Sequence, residues 1–174
     1  MLFHARAAMV AAALSVCSFG TANAAEVGTT TAQPVPLEHL VRNQAALEVG
    51  DMDSEKACLT EAIFHESRAE PVLGQLAVAN VIMNRTRASG FPRSICGVIN
   101  QHGHFTYPRG RAIRKSEVHM WTEARAVASL ALQGILARVG RKALFFHSAK
   151  VRPNLGSKAV RIAQIGAHIF YGKR

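Results

Sequence analysis

Cys58-Leu59-Thr60-Glu61-Ala62-Ile63-Phe64-His65-Glu66-Ser67-Arg68-Ala69-Glu70-Pro71 is the stretch whose reading decides the fold. Leu59, Ala62 and Ile63 fall at i, i+3 and i+4, which predicts a helix with one apolar stripe. Asp53 or Ser54 supplies an acceptor for the orphan N–H groups at its start, and Glu55 suits the positive helix end, so the helix is predicted from about Glu55 to Ser67. Pro71 disfavours helical backbone at Glu70 and can itself open a second helix, predicted to run to about Arg87. Glu66 comes two turns after Leu59 and so lies on the core-facing stripe, whereas Glu61 lies roughly opposite and is expected in solvent. A carboxylate placed like Glu66 either pairs with a cation, Arg68 or Arg85 for instance, or holds its proton more tightly than usual. The second property is what a general acid needs near neutral pH.

Downstream, Ser89-Gly90-Phe91-Pro92 breaks the chain, and residues 93–115, with Gly97, Gly103, Pro108 and Gly110, read as irregular structure over a cleft. Ser116 is expected to cap a third helix over about Glu117 to Val139, with Val118, Trp121, Ala128, Leu132 and Leu136 on its buried face and Gly140 at its stop. The apolar period then shortens. Ala143–His147, Ala159–Ile165 and Ala167–Tyr171 read as short strands, with Gly166 at a turn between the last two. The expected fold class is α+β, mostly helical, with a small C-terminal sheet and no internal repeat.

Upstream, Arg6, the apolar stretch Ala7–Val16 and Ala22-Asn23-Ala24 have the order of a secretory signal, so residues 1–24 are expected to be cleaved near Ala24 and the protein exported to the periplasm. Residues 25–53 read as a flexible leader, rich in Thr, Ala and Pro at first, with a short helix starting at Leu37 and ending near Gly50. The catalytic domain is assigned to residues 54–174. The chain has 174 residues, 21 Lys or Arg against 11 Asp or Glu, and a formal charge of +10. Half its residues are hydrophobic, which excludes a disordered tail, and no apolar run reaches the ~20 residues of a membrane-spanning helix. Export leaves Cys58 and Cys96 as an even pair in an oxidising compartment, expected as a disulfide, with two buried thiols as the alternative.

The run from Cys58 to Pro71, followed by Gly74-Gln75-Leu76-Ala77-Val78-Ala79-Asn80-Val81-Ile82-Met83-Asn84-Arg85, resembles the SleB-type cell wall hydrolases. Further matches are Phe91-Pro92, Ile95-Cys96-Gly97-Val98-Ile99, His104-Phe105-Thr106, Phe145-Phe146-His147 and Ile165-Gly166-Ala167-His168-Ile169-Phe170-Tyr171. The resemblance implies a lysozyme-like catalytic domain that cuts peptidoglycan glycan strands between N-acetylmuramic acid and N-acetylglucosamine, as a muramidase or as a lytic transglycosylase leaving a 1,6-anhydro end. It implies Glu66 as the catalytic acid/base, and Glu70 matches the second glutamate of the motif. Where relatives commonly read Glu-Ala-Arg-Gly-Glu, this chain has Ser67 and Ala69. A positive φ at position 69 would load steric strain on the alanine.

Other residues carry two readings each. Thr106 and Tyr107 are candidates to hydrogen-bond or stack on sugar rings, as is Phe105, or else pack the core. Asn84, one turn after Asn80, is a candidate for substrate amides or for satisfying backbone at a helix crossing. His147 and His168 are supporting groups or structural histidines. His102 and His104 with Cys96 make the best case for a zinc amidase, but Cys96 is wanted for the disulfide, so no metal or other cofactor is expected. The positive charge suits the carboxylates of peptidoglycan peptides. Arg111, Arg114 and Lys115 would suit nucleic acid, which an export signal argues against. A peptidoglycan-binding factor without turnover is the alternative reading, and a cell-envelope or secretion machine is a candidate partner.

Overall fold

The computed structural model describes residues 34–135 and 140–174. The expected signal, the start of the leader and Leu136 lie outside these residues. Among the described residues five α-helices come first: α1 (Leu37–Ala46), α2 (Ser54–Ser67), α3 (Val72–Arg87), α4 (Ile95–Ile99) and α5 (Val118–Leu132). Three strands follow, β1 (Phe145–Ser148), β2 (Ala159–Ile165) and β3 (His168–Lys173), in an antiparallel sheet of order β1-β3-β2. The mostly helical α+β class is therefore the observed one.

The Asp53 side chain accepts the Lys56 N–H at 2.9 Å and so starts α2, and Pro71 precedes the first residue of α3, as the local residues predict. α3 is the central helix: apart from Asn80, every side chain from Leu76 to Ile82 is apolar and fully buried. A helix apolar on all sides belongs inside a core rather than at its surface. α2, α4 and α5 pack around it.

α1 is packed rather than part of a loose leader. Val41 is buried, and Glu48 just after the helix accepts from Lys56 at 2.6 Å, Arg125 at 2.9 Å and Ser129 at 2.6 Å. The compact unit of described residues therefore includes α1.

The third long helix departs from its expected ends. Ser116 sits in a 3₁₀ turn, Lys115–Glu117. The Glu117 carboxylate closes that turn, accepting from the Arg114 N–H at 3.2 Å and from Arg111 at 2.9 and 3.0 Å. α5 stops at Leu132 because Gly134 adopts φ +77°. Its N–H donates to the Ala131 carbonyl at 3.0 Å and that of Ile135 to the Leu130 carbonyl at 2.9 Å, the paired bonds of a glycine-terminated helix. Val118 and Leu132, expected on the buried face, are exposed; Ala128 is buried as expected, and Ala124, Val127 and Ala131 complete the face.

α4 lies within the segment expected as irregular chain. The Ser94 hydroxyl caps its start, accepting the Gly97 N–H at 3.0 Å, and groups distant in sequence tie it down: Glu55 accepts from the N–H of Ile95 at 2.5 Å, and Cys96 is bonded to Cys58 in a disulfide. The expected pairing of the two cysteines is thus the one found, and free thiols are excluded. In β3, His168, Phe170 and Gly172 are buried and alternate with more exposed neighbours, the period of two that lays one sheet face on the helices.

Candidate active site

Leu59, Ala62 and Ile63 are fully buried, and they turn the same face of α2 inward. Glu66 follows on that face in the last turn, where the core ends and a cleft begins. The cleft has a volume of about 550 Å³ and is bounded by Glu66, Arg85, His104, Phe105, Phe145 and His147 among others. A smaller cavity of about 220 Å³ lies on the other side of Glu66, over the α2–α3 turn, and His168 borders both.

Partial burial raises the proton affinity of Glu66 above the usual carboxylate range, against the opposite pull of the Arg109 and Arg85 charges. Neither arginine is spent on it. Arg85 donates Nε–H to the Leu144 carbonyl at 2.7 Å, and Arg109 donates to the Ile99 carbonyl at 2.5 Å. Among the described residues no ion pair within 4 Å and no hydrogen bond engages Glu66, so the purely structural salt bridge is not what the fold builds.

Arg85 lies in a cage of aromatic rings, with Phe91 at 5.2 Å, Phe105 at 5.6 Å and Phe145 at 5.7 Å from its guanidinium carbon. Burial pulls its pKa down to about 10, with Glu66 resisting, so it keeps its charge at neutral pH. One of its terminal nitrogens, Nη1, is buried without a hydrogen-bond partner. The result is a cleft floor with a fixed cation, apolar walls and one carboxyl group that favours protonation. Such a site can deliver a proton to a substrate oxygen and stabilise the carboxylate left behind.

The other expected residues divide. Phe105 is buried and forms cleft wall. His147 is in the cleft lining, with both ring nitrogens occupied, Nδ1 by the Ser148 carbonyl at 2.8 Å and Nε2 by the Tyr171 hydroxyl at 3.0 Å. Glu70 belongs to the fold: its Oε2 accepts the Ala167 N–H at 2.8 Å. Gly166, at φ +56°, is obligatory beside it, since a Cβ there would collide with that oxygen. Glu61, expected in solvent, is half-buried and accepts the Gly110 N–H at 2.7 Å.

For three residues with two readings, the surroundings bear on the choice. Asn84 donates to the carbonyls of Gly140 at 3.2 Å and Ala143 at 3.0 Å; it borders a different groove and satisfies backbone. Tyr107 has one ring face stacked on His65 at 4.4 Å and Arg109 over the ring at 4.3 Å, so no free face is left for a sugar. Thr106 is exposed and lies outside the lining of both cavities. Ala69 carries no such strain, because Lys142 is the one non-glycine residue with positive φ among those described. Cys96, engaged in the disulfide, is unavailable as the thiolate of a zinc site.

Arg85, Phe145, Phe146, Asn154 and Leu155 also line the cleft, beyond the residues that the sequence marks as substrate-facing. Arg85 carried a signal, a charge ending an apolar helical stripe. Asn154 and Leu155 lie in the β1–β2 connection and carried none.

Residues 69–171 match the family model described as Cell Wall Hydrolase, and the chain belongs to that family. The matched span takes in Arg85, Phe105, His147 and His168, and begins three residues after Glu66. The spore cortex-lytic enzyme of Bacillus cereus is 31% identical over 114 residues, 64% of this chain and 42% of that protein. The one from Halalkalibacterium halodurans is 32% identical over 123 residues, 70% of this chain and 36% of that protein. The chain thus spans less than half the length of these relatives. Among solved structures, the catalytic domain of the germination-specific lytic transglycosylase SleB from Bacillus anthracis aligns with TM-score 0.49 and 26% identity, covering 71% of this chain and 98% of that domain.

Proposed function

We propose that this protein cleaves the glycan strand of peptidoglycan between N-acetylmuramic acid and N-acetylglucosamine, with Glu66 as general acid and then base. The observation that carries the reading is the unpartnered, half-buried Glu66 at the junction of two cavities, its proton affinity raised by burial. The family supports the substrate class, and the spore cortex-lytic relatives support a lytic outcome. Glu66 protonates the glycosidic oxygen as the C–O bond breaks, and the Arg85 charge offsets the negative charge that appears on the carboxylate.

The second half of the reaction follows from what Glu70 is doing. A two-carboxylate glycosidase needs a second free carboxylate facing the scissile bond. Glu70 is the nearest in sequence, and one of its oxygens is held by the Ala167 N–H while the other faces His168 Nδ1 at 3.9 Å. The substrate is then left to provide the nucleophile. Glu66, now a carboxylate, accepts the proton of the muramoyl C6 hydroxyl as its oxygen closes on C1, giving a 1,6-anhydro end. The signal-like residues 1–24 support export, and among the described residues no helix is long and apolar enough to cross a membrane. The place of action we assign is the periplasm, on the wall itself.

Digesting purified sacculi with the full chain and identifying soluble fragments by mass spectrometry tests this. Anhydro-muropeptides are expected. Reducing ends would make the enzyme a hydrolase that activates water, and released peptides without glycan fragments would overturn the reading.

A further inference from the structure

Behind the aromatic wall of the cleft lies a second groove, of about 350 Å³, which the reaction above does not use. Arg87, Arg141, Lys142 and Lys173 surround it, and among the described residues no carboxylate is in its lining. Four cations around one concavity repel one another unless an anion joins them. All four are exposed, so the charges are available to a ligand.

The loop that presents two of them is held from both sides. The Asn84 amide of α3 donates to the carbonyls of Gly140 and Ala143, on either side of Arg141 and Lys142. The Lys142 carbonyl abuts Gly172 of β3, where a Cβ would lie 3.0 Å from it. Lys142 itself has φ +64°, a left-handed conformation that costs a lysine energy and that Gly or Asn would adopt more readily. A cation is thus kept at a position where the backbone favours another residue.

The groove and the cleft share a wall. Phe145 lines the cleft, and Lys173 Nζ lies 5.6 Å from its ring centre on the groove side. A glycan strand seated at Glu66 carries peptides branching from its muramic acids, and their carboxylates extend sideways from the strand. We infer that the groove of Arg87, Arg141, Lys142 and Lys173 binds a carboxylate of the peptide stem, so that peptide-bearing strands are preferred over bare glycan. This rests on the glycan-cleaving reading for its ligand, and the groove itself stands apart from the cleft chemistry.

The test is an NMR titration of the full chain with a muramyl tripeptide bearing free carboxylates and with its amidated analogue. It compares wild type with an Arg141→Gln, Lys142→Asn double variant, in which Asn suits the left-handed backbone. Wild type is expected to bind the free acid about tenfold more tightly than the amide, through contacts weakened by salt, with shifts at residues 140–143. The double variant should lose that preference while cleaving peptide-free glycan at the wild-type rate. Equal binding by wild type and variant overturns the inference. So does binding to phosphatidylglycerol vesicles, lost in the variant, without binding of the peptide, which would assign the groove to a membrane surface. A chain that binds the peptide through this groove but cuts no glycan would overturn the cleavage reading and leave the groove standing.

Discussion

Glu66 and Arg85 stand at the same offset on two different helices, each seven, four and three residues after fully buried apolar residues. For Glu66 these are Leu59, Ala62 and Ile63 of α2; for Arg85 they are Val78, Val81 and Ile82 of α3. Each charge ends an apolar stripe, and the two meet in one cleft, shifting each other's protonation without forming an ion pair. The fold therefore holds an ionised Glu66 at a cost that the protonated form avoids.

That cost is measurable as stability. Because the folded-state pKa of Glu66 is raised, the folded protein binds its proton more tightly than the unfolded chain does, and stability falls as pH rises from about 4.5 through that raised value. Glu66→Gln, which mimics the protonated form, is expected to melt above wild type at pH 7 and together with it below about pH 4.5. Thermal melts across this range check it, and a lower melting temperature for the variant at pH 7 would contradict it.

Glu70 separates structural from catalytic carboxylates. Glu70→Ala removes a charge-assisted bond to the Ala167 N–H and should cost about 2 kcal/mol. Glu70→Gln keeps an oxygen that can accept that N–H, and so should retain most of the sacculus-clearing rate. Chemical denaturation and turbidity assays of the two variants test both statements.

Glu48 predicts the acid limit of the fold. Its burial would raise its pKa, but hydrogen bonds from Lys56, Ser129 and Gln44 together hold it at about 2. A depressed folded-state pKa contributes stability that is present above about pH 4.5 and lost as pH falls towards 2, on the order of 3 kcal/mol. Glu48→Gln should lower stability at pH 7 and flatten the acid loss in denaturation curves recorded from pH 7 to pH 2.

The disulfide closes a separation of 38 residues, worth about 4 kcal/mol in the chain-entropy account. It joins α2 to α4, and the chain leaving α4 carries His104 and Phe105 into the cleft. Reduction, or Cys58→Ser with Cys96→Ser, should lower the denaturation midpoint by a corresponding amount and slow wall clearance, with the stability loss appearing first as the reductant is raised.

Much of this was legible in local residues. α2, α3 and the position of Glu66 follow from apolar spacing and from Asp53 and Pro71, because a helix start and a helix face are set within a few residues. What escaped depends on contacts far apart in sequence. α4 has a local cap in Ser94 but is anchored by Glu55 forty residues earlier, α1 is held by a charge cluster that gathers Lys56, Arg125 and Ser129, and Asn84 is claimed by backbone carbonyls beyond residue 139. α5 ends at Gly134 rather than Gly140, although both are glycines, because the carbonyls that make a stop are placed by the helix before it. Tyr107 carried the right chemistry for a sugar, and only packing reveals that His65 and Arg109 cover its ring.

The central claim is that Glu66 transfers the proton, and the turnover of Glu66→Gln tests it most directly. Wild type and variant are incubated with purified sacculi at equal bound amounts, and soluble glycan fragments are counted over time. The account predicts unchanged binding and release slowed by a factor of about 10²–10⁴, with the wild-type rate falling as pH rises through the raised Glu66 pKa. A variant that binds and releases fragments at the wild-type rate would contradict it.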